Sequence, residues 1–413
     1  MNPDSPQMDA ASLSSLATGR SASLFAGDVD SRREELRRRI GGSRILIVGG
    51  SGSIGAATTA AVAAYRPESL HVVDQNENTL VELVRTLRSD PAGLAVPDFR
   101  CLPIDFGSTI MERMLRESPP YDYVLNFAAL KHVRSEKDVC SLLQMLNTNL
   151  IKQTWLLCWL AEKGGLKRYF CVSTDKAANP VNLMGASKRA MEHVVFSGET
   201  CPSLTAETVS ARFANVAFSD GSLLDGFLKR LQKRQPLAVP RQTRRYFISL
   251  VEAGQICLLA AFCAPHRHTV VPRLDPAADL HDLQDVAEAV LRRAGFAPAI
   301  YHDEAEARTR VPADMKAGRY PLLLAPLDTS GEKPYEEFLG ENETAVEIGM
   351  SQLLAIPYVP APRGTVATLI EELERYVANA RVPADKAAIV ARLAAAVPQF
   401  HHVETGKTLD QRM

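Results

Sequence analysis

Ile45-Leu-Ile-Val-Gly-Gly-Ser-Gly-Ser-Ile-Gly55 is a short, wholly apolar run that passes straight into a glycine-rich turn and then into an alanine-rich stretch. An apolar run with no polar alternation is what a central strand of a parallel sheet requires, because both of its faces are covered. The glycines fit two overlapping spacings, 49/52/55 and 50/52/55. One makes the tight turn, one lets a pyrophosphate approach bare backbone, and one lets the following helix pack close to the sheet with its N-terminal amides facing the phosphates. Gly49, Ser51, Gly52, Ser53, Ile54 and Gly55 are therefore the expected dinucleotide phosphate contacts. Such a spacing alone is weak evidence; between a buried strand and an Ala-rich helix it is strong.

Outward from this unit, strand-like and helix-like stretches alternate. Strands are expected at Leu70–Asp74, Phe99–Asp105, Tyr121–Phe127 and Lys167–Ser173, and helices at Glu77–Arg88, Ile110–Glu117, Cys140–Glu162 and Met184–Phe196. This alternation predicts an α/β fold, a Rossmann-type doubly wound parallel sheet. Beyond residue 215 the rhythm changes, which suggests a smaller substrate-binding lobe over 216–345 and extra C-terminal helices over 346–413, including Thr365–Ala378 and Ala384–Ala396. Residues 1–30, rich in Ser, Ala and Asp without periodicity, read as a flexible N-terminal arm, and 31–215 as the nucleotide-binding domain.

Composition excludes several classes. Forty-eight acidic and 47 basic residues leave a net charge of −1, so the chain as a whole does not attract nucleic acid. No apolar run is long enough to span a membrane, and the N-terminus lacks a basic start followed by an apolar core. The seven cysteines show no C-x-x-C spacing and read as reduced thiols, which fits a cytoplasmic setting. The nine histidines show no metal-binding spacing.

Asp74 ends the second strand, 19 residues after Gly55. A carboxylate there accepts both ribose hydroxyls of NAD and repels a 2′-phosphate, and the neighbouring Gln75 and Asn76 are neutral, so NAD is favoured over NADP. Asp105, with Phe106 beside it, ends the third strand: it either touches the adenine amine or caps the next helix. Ala128 and Ala129 follow the fourth strand, where small residues let a cofactor lie flat.

The richest segment is Ser173-Thr-Asp-Lys-Ala-Ala-Asn-Pro180. It places an acid and a base, Asp175 and Lys176, at a strand end, and Lys188 follows twelve residues later on a helix. With Gly49–Gly55, Ala128-Ala-Leu-Lys-His-Val133, Met184-Gly-Ala-Ser-Lys-Arg189 and Arg212-Phe-Ala-Asn-Val216, and with weaker support from Arg245-Tyr-Phe and Gly331-Glu-Lys-Pro-Tyr-Glu-Glu337, the chain resembles the extended short-chain dehydrogenases/reductases. Within them it is similar to the UDP-N-acetylglucosamine 4,6-dehydratases of polysaccharide biosynthesis, in a form without spanning helices. The resemblance covers roughly residues 36–345. It departs from the wider superfamily at Met184, where Tyr-x-x-x-Lys would place the proton-accepting phenol.

The resemblance implies that hydride leaves sugar C4 for NAD, that the C5 proton, made acidic by the new ketone, is removed as the C6 hydroxyl departs, and that hydride returns to C6. It assigns C5 proton abstraction to Lys176 and protonation of the leaving hydroxyl to Asp175, with the two roles exchangeable. A lysine acting as base needs a lowered pKa, which a nearby cation such as Lys188 or the nicotinamide would supply. Lys188 is expected on the nicotinamide ribose, Ser173 or Thr174 near the sugar 4-hydroxyl, and Asn149 as a bridge to Lys188 or as plain helix polarity. Lys131 and His132 are expected along the sugar pocket, Asn215 on the substrate diphosphate, and Arg244 and Arg245 either on its phosphates or in a surface charge run. Without the phenol, Lys176, Asp175 or an ordered water must deprotonate the C4 hydroxyl. Two other readings compete: an NAD-dependent UDP-sugar epimerase, which needs no leaving-group acid, and a non-catalytic nicotinamide-binding protein. A homo-oligomer is expected by analogy with the superfamily.

Overall fold

A computed structural model of the chain describes residues 10–131, 136, 138–326 and 333–402. Its strands, in chain order, are β1 (Arg44–Val48), β2 (Ser69–Asp74), β3 (Asp98–Pro103), β4 (Tyr123–Asn126), β5 (Arg168–Val172), β6 (Glu207–Ala211), β7 (Asn215–Val216), β8 (Leu237–Pro240), β9 (Arg244–Ile248), β10 (His268–Pro272), β11 (Leu280–Asp282), β12 (Ala297–Tyr301), β13 (Arg319–Ala325), β14 (Val346–Glu347) and β15 (Leu353–Pro357). Nine of them form one sheet in the order β14-β15-β10-β6-β5-β4-β1-β2-β3. From β3 to β10 every pairing is parallel, and β15 and β14 add an antiparallel edge.

The apolar residues of β1 explain its central place. Leu46 and Val48 join one buried cluster and Ile45 and Ile47 the other, on opposite faces of the sheet, as the two-residue period of a strand dictates. Burying each such side chain contributes about 1.5–3 kcal/mol. Strand order reverses between β1 and β4, and at such a switch point an open α/β sheet leaves a crevice beyond the carboxyl ends of its strands.

Several expectations are corrected. The described part of the N-terminal arm is packed, not free: Leu16 and Ala17 pack in the core of the smaller lobe and Phe25 in the core beneath the sheet. Arg20 joins the two, paired with Glu252 at 3.1 Å and Asp279 at 2.6 Å. β10, expected within the lobe over 216–345, pairs with β6 in the central sheet, because the chain crosses back after β9 through the buried helix Leu250–Cys263. The stretch 346–413 is not helical throughout, since β14 and β15 complete the sheet edge. Its helices Thr365–Ala378 and Lys386–Ala396 lay Leu369, Leu373, Ile389 and Leu393 on the core that contains Leu156, Leu160 and Val194. The helix Glu304–Lys316 and β13 add elements within 216–345 that the sequence pattern does not single out. The expected long helix over 140–162 is interrupted by a π turn at Asn147–Ile151 between Val139–Leu146 and Lys152–Lys163. None of the helices is long and apolar enough to cross a membrane among the described residues.

Candidate active site

The glycine turn is built for close approach. Gly49 has φ +69°, and a Cβ there would lie 2.5 Å from the Ala128 amide nitrogen; one on Gly55 would lie 2.3 Å from the Gly49 carbonyl oxygen. Neither position tolerates a side chain. Gly52 caps the helix Ser53–Ala63 without a side-chain bond, so the first amides of that helix keep their capacity to donate to an anion. Asp74 accepts from the Ser51 amide at 3.2 Å and the Asn76 amide at 3.1 Å, which fixes its carboxylate beside the turn.

A cleft of about 410 Å3 opens from this turn to the ends of β5 and β7. Gly49, Gly52, Ser53, Ile54 and Gly55 line one end. Ser173, Thr174, Asp175, Lys176, Met184 and Lys188 line the other, and Ala129, Lys131 and Asn215 border it. The helix Leu183–Ser197 brings Met184 and Lys188 together one turn apart on one face. Its start is held by Asn182, which accepts from the Gly185 amide at 2.8 Å, and by Glu136, which accepts from the Met184 amide at 2.8 Å. Gly185 lets the helix approach the Lys176 carbonyl, since a Cβ there would lie 2.4 Å away from that oxygen.

Buried Lys188 donates from Nζ to the Val172 carbonyl at 2.7 Å and touches Met191 Sδ at 3.3 Å. With no carboxylate bonded to it, burial brings its pKa down to about 8. Lys176 behaves oppositely. Burial alone would lower its pKa, but Asp175 and Glu336 hold it above the ordinary lysine value. Its Nζ lies 3.1 Å from Asp175 Oδ1 and 3.6 Å from Glu336 Oε1. The expectation that a neighbouring cation lowers this pKa is therefore corrected for the cofactor-free chain: two carboxylates outweigh the Arg245 cation. Asp175 is buried, and its Oδ1 also accepts from Thr174 Oγ1 at 2.8 Å and from the Lys176 amide at 2.9 Å. Burial raises the pKa of Glu336, and Lys176 offsets this only in part.

A second charged group lies beneath the first. Arg212 donates to Glu192 (2.8 and 2.6 Å) and to Glu343 (2.6 and 2.9 Å). Arg189 also donates to both carboxylates. Burial opposes ionisation of Glu192, but Arg212, through charge and hydrogen bonds, brings its pKa down to about 2. Ser173 Oγ donates to Glu192 Oε1 at 2.6 Å, so this hydroxyl is committed to the cluster although it lines the cleft.

Other expected residues are engaged by the protein itself or lie off the cleft. Asp105 pairs with Lys152 at 2.5 Å and accepts from the Gly107 amide, its side chain remains 37% exposed, and Ser108 rather than Asp105 caps the helix Thr109–Glu117. The Phe106 side chain is buried in the core. Arg245 spends its guanidinium on the Lys333 and Pro334 carbonyls, holding the segment from 333 onward, and Arg244 is exposed at the edge of β9. Neither arginine borders the cleft. Lys131 donates to the Asp220 carbonyl at 3.1 Å, and Asn215 to the Tyr246 carbonyl at 3.4 Å. Asn149, in the π turn, bonds Leu130 and Ser187 rather than Lys188, so it fixes the loop after β4. His132 lies outside the described residues.

The residues missed from sequence are Glu336, Glu343, Glu192 and Arg189. Glu336 stood within the Gly331–Glu337 stretch already singled out, and Glu192 lies one helical turn past Lys188. What hid Glu336 and Glu343 is that their partners are distant in the chain, while Glu192 and Arg189 pair locally but owe their setting to Arg212 and Glu343. No group of residues suited to a metal ion occurs among the described residues.

Comparison with known proteins agrees with this architecture. The family described as polysaccharide biosynthesis protein matches residues 45–357. An uncharacterized membrane protein of Methanocaldococcus jannaschii is 30% identical over 305 residues, 72% of this chain and 81% of that protein. The probable polysaccharide biosynthesis protein EpsC of Bacillus subtilis is 26% identical over 83% of this chain; the match spans only 53% of EpsC, about half its length. An inverting UDP-N-acetylglucosamine 4,6-dehydratase of Campylobacter jejuni is 28% identical over 52% of this chain and 63% of that enzyme. Among solved structures, Pen from Bacillus thuringiensis superposes with a TM-score of 0.61 at 22% identity, covering 76% of this chain and 88% of Pen. Sequence family, sheet order and cleft agree, and the chain belongs to the polysaccharide biosynthesis protein family, on the Rossmann-type fold of the extended short-chain dehydrogenases/reductases.

Proposed function

We propose that this protein is an NAD-dependent 4,6-dehydratase of a UDP-N-acetylhexosamine, with UDP-N-acetylglucosamine as first candidate and a UDP-4-keto-6-deoxy sugar as product. The observation that carries it is Asp175 and Lys176 paired at 3.1 Å on the wall of a cleft whose other end is the glycine turn. The similarity to the Campylobacter jejuni dehydratase supports it.

The residues present fit a nicotinamide dinucleotide. Gly49 and Gly55 leave backbone where a Cβ has no room, the amides after Gly52 suit the pyrophosphate, and Asp74 suits the ribose hydroxyls and disfavours a 2′-phosphate. Lys188, with one carbonyl and one thioether as partners, has an N–H to give to the nicotinamide ribose. When bound, the cofactor supplies the acceptance of hydride from sugar C4 and its return to C6.

The chain itself supplies the proton chemistry. Asp175 and Lys176 are assigned as the acid–base pair for sugar C5 and C6, one taking the C5 proton and the other serving the departing hydroxyl with the two roles exchangeable, and their pairing on the cleft wall supports this. Thr174, bonded to Asp175, orients that carboxyl. Lys131 and Asn215 border the cleft and suit the sugar nucleotide. Met184 offers a thioether, which accepts no proton at useful pH, so the C4 hydroxyl proton goes to the Asp175–Lys176 group.

The decisive experiment is NMR of the protein incubated with UDP-N-acetylglucosamine without added reductant. A new C6 methyl doublet is expected. A shifted sugar pattern without the methyl would replace this reading with epimerisation, and no change on any UDP-N-acetylhexosamine, with NAD bound, would leave a nicotinamide-binding protein without turnover.

A further inference from the structure

Proton bookkeeping at this cleft leaves one proton to be placed. Oxidation at C4 releases a hydroxyl proton, and in the reading above no phenol is present to hold it. Lys176 starts as an ammonium, held so by Asp175 and Glu336, and an ammonium cannot accept a proton. Something beside Lys176 must take its proton first.

Glu336 is the group placed to do so. It is only 6% exposed, yet it sits on a segment without regular secondary structure. Its carboxylate faces Lys176 at 3.6 Å, a contact that tightens to hydrogen-bond distance for a proton to pass, whereas Glu343, seven residues on, is fully matched by Arg212. A buried carboxylate matched by half of one ammonium is costly to keep ionised and takes a proton readily. The segment is not loosely placed. Lys333 Nζ donates to the Asn179 carbonyl at 2.6 Å, and Asn179 donates to Glu337 at 3.1 Å. Gly340 presses on the Ala178 carbonyl, where a Cβ would lie 2.6 Å away, and Arg245 holds the Lys333 and Pro334 carbonyls. The charged groups facing the Lys176–Glu336 contact are Asp175 from the catalytic segment, Arg245 from β9 and Lys333 from Glu336's own segment.

We infer that Glu336 is a positioning residue acting through Lys176: it takes the Lys176 proton, so that the amine left behind does the work of the missing phenol. The Nζ–H bond breaks and an O–H bond forms on Glu336; the amine takes the C4 hydroxyl proton, the Asp175 carboxylate takes the C5 proton and passes it to the departing hydroxyl, Lys176 gives its proton back to C5, and the Glu336 proton returns to the amine. No oxidant or reductant is involved. The inference rests on the reading of Asp175 and Lys176 as the acid–base pair.

The test has two arms on the NAD-loaded protein. In the first, the pH dependence of Lys176 acylation by acetic anhydride is read by peptide mass spectrometry for the native chain, Glu336→Gln and Glu336→Asp, without substrate. Glu336→Gln is expected to move the profile to lower pH, and Glu336→Asp to restore part of the shift. In the second, Glu336→Gln is expected to lower kcat for methyl formation about 100-fold with KM changed by less than about threefold, and to alter the pH–rate profile. An unchanged acylation profile overturns the inference, as does an unchanged kcat. If the native protein turns over no UDP-sugar, the proposed function fails by itself, and the acylation arm still decides whether Glu336 governs Lys176.

Discussion

Two charged groups meet at the Ser173–Lys176 segment and are built from the same chemistry, yet they are arranged for different ends. In the Glu192–Arg212–Glu343 group each carboxylate meets a guanidinium fork, Arg189 adds further donors, and no side chain of the group is more than 5% exposed. In the Asp175–Lys176–Glu336 group one ammonium serves two carboxylates, one of them at 3.6 Å, and the lysine side chain remains 23% exposed to the cleft. A saturated network holds each proton in place, while an unsaturated one facing a cleft leaves protons free to move. Arginine suits the first because its fork does not release a proton, and lysine the second because its ammonium does.

The largest break in this comparison comes from Lys176→Ala. Methyl formation is expected to fall by about 100- to 10000-fold, with bound NAD unchanged. Retained turnover would remove Lys176 from the acid–base pair. Arg212→Ala should do the reverse: by stripping Glu192 and Glu343 of their main partner it should lower unfolding free energy by about 3–5 kcal/mol, read by denaturant titration. A loss well under about 1 kcal/mol would show that the second group is not structural.

pH sharpens the contrast further. The pKa of Glu192 in the folded chain is about 2 against an ordinary 4.5, and that of Glu343 is also lowered, so the unfolded chain binds these protons first. Their contribution to stability is complete above pH 4.5 and is lost as pH falls from there toward 2. The melting temperature should therefore drop steeply across that window in the native chain and much less in an Arg212→Ala background. Lys176, held above its ordinary value of 10.5, contributes stability that is lost only as pH rises beyond that value. The smallest effect is expected at the far end of the cleft. Asp74→Ala, which loosens the Ser51 amide and removes the carboxylate suited to the ribose, should reduce the preference for NAD over NADP by about tenfold, measured by binding titration. An unchanged preference would remove Asp74 from cofactor selection.

The fold was largely legible because its signals are local. The apolar run of β1, the glycine spacing after it and the strand–helix alternation each lie within a short window, and the central sheet follows from them. The bounds slipped where local signals mislead. The polar, small-residue composition of 10–30 gave no hint that Ala17 and Phe25 would be fully buried in two different cores. The π turn at Asn147–Ile151 left no mark in an otherwise helical pattern. β10 is apolar wherever it lies, so its sequence could not say which sheet it joins.

The sequence by itself determined the phosphate turn, the acidic end of β2, the adjacency of Asp175 and Lys176, and the presence of a methionine where a phenol is expected, because each is a matter of residue type at short spacing. Only the tertiary structure decided that Glu336 approaches Lys176 across 160 residues of chain, that Glu343 reaches Arg212, and that Asp105 and Arg245 are already engaged by Lys152 and the segment at 333. The physical reason is that a charge's behaviour depends on what lies within a few ångströms of it, and those neighbours are set by how distant segments pack rather than by the residues beside it in the chain.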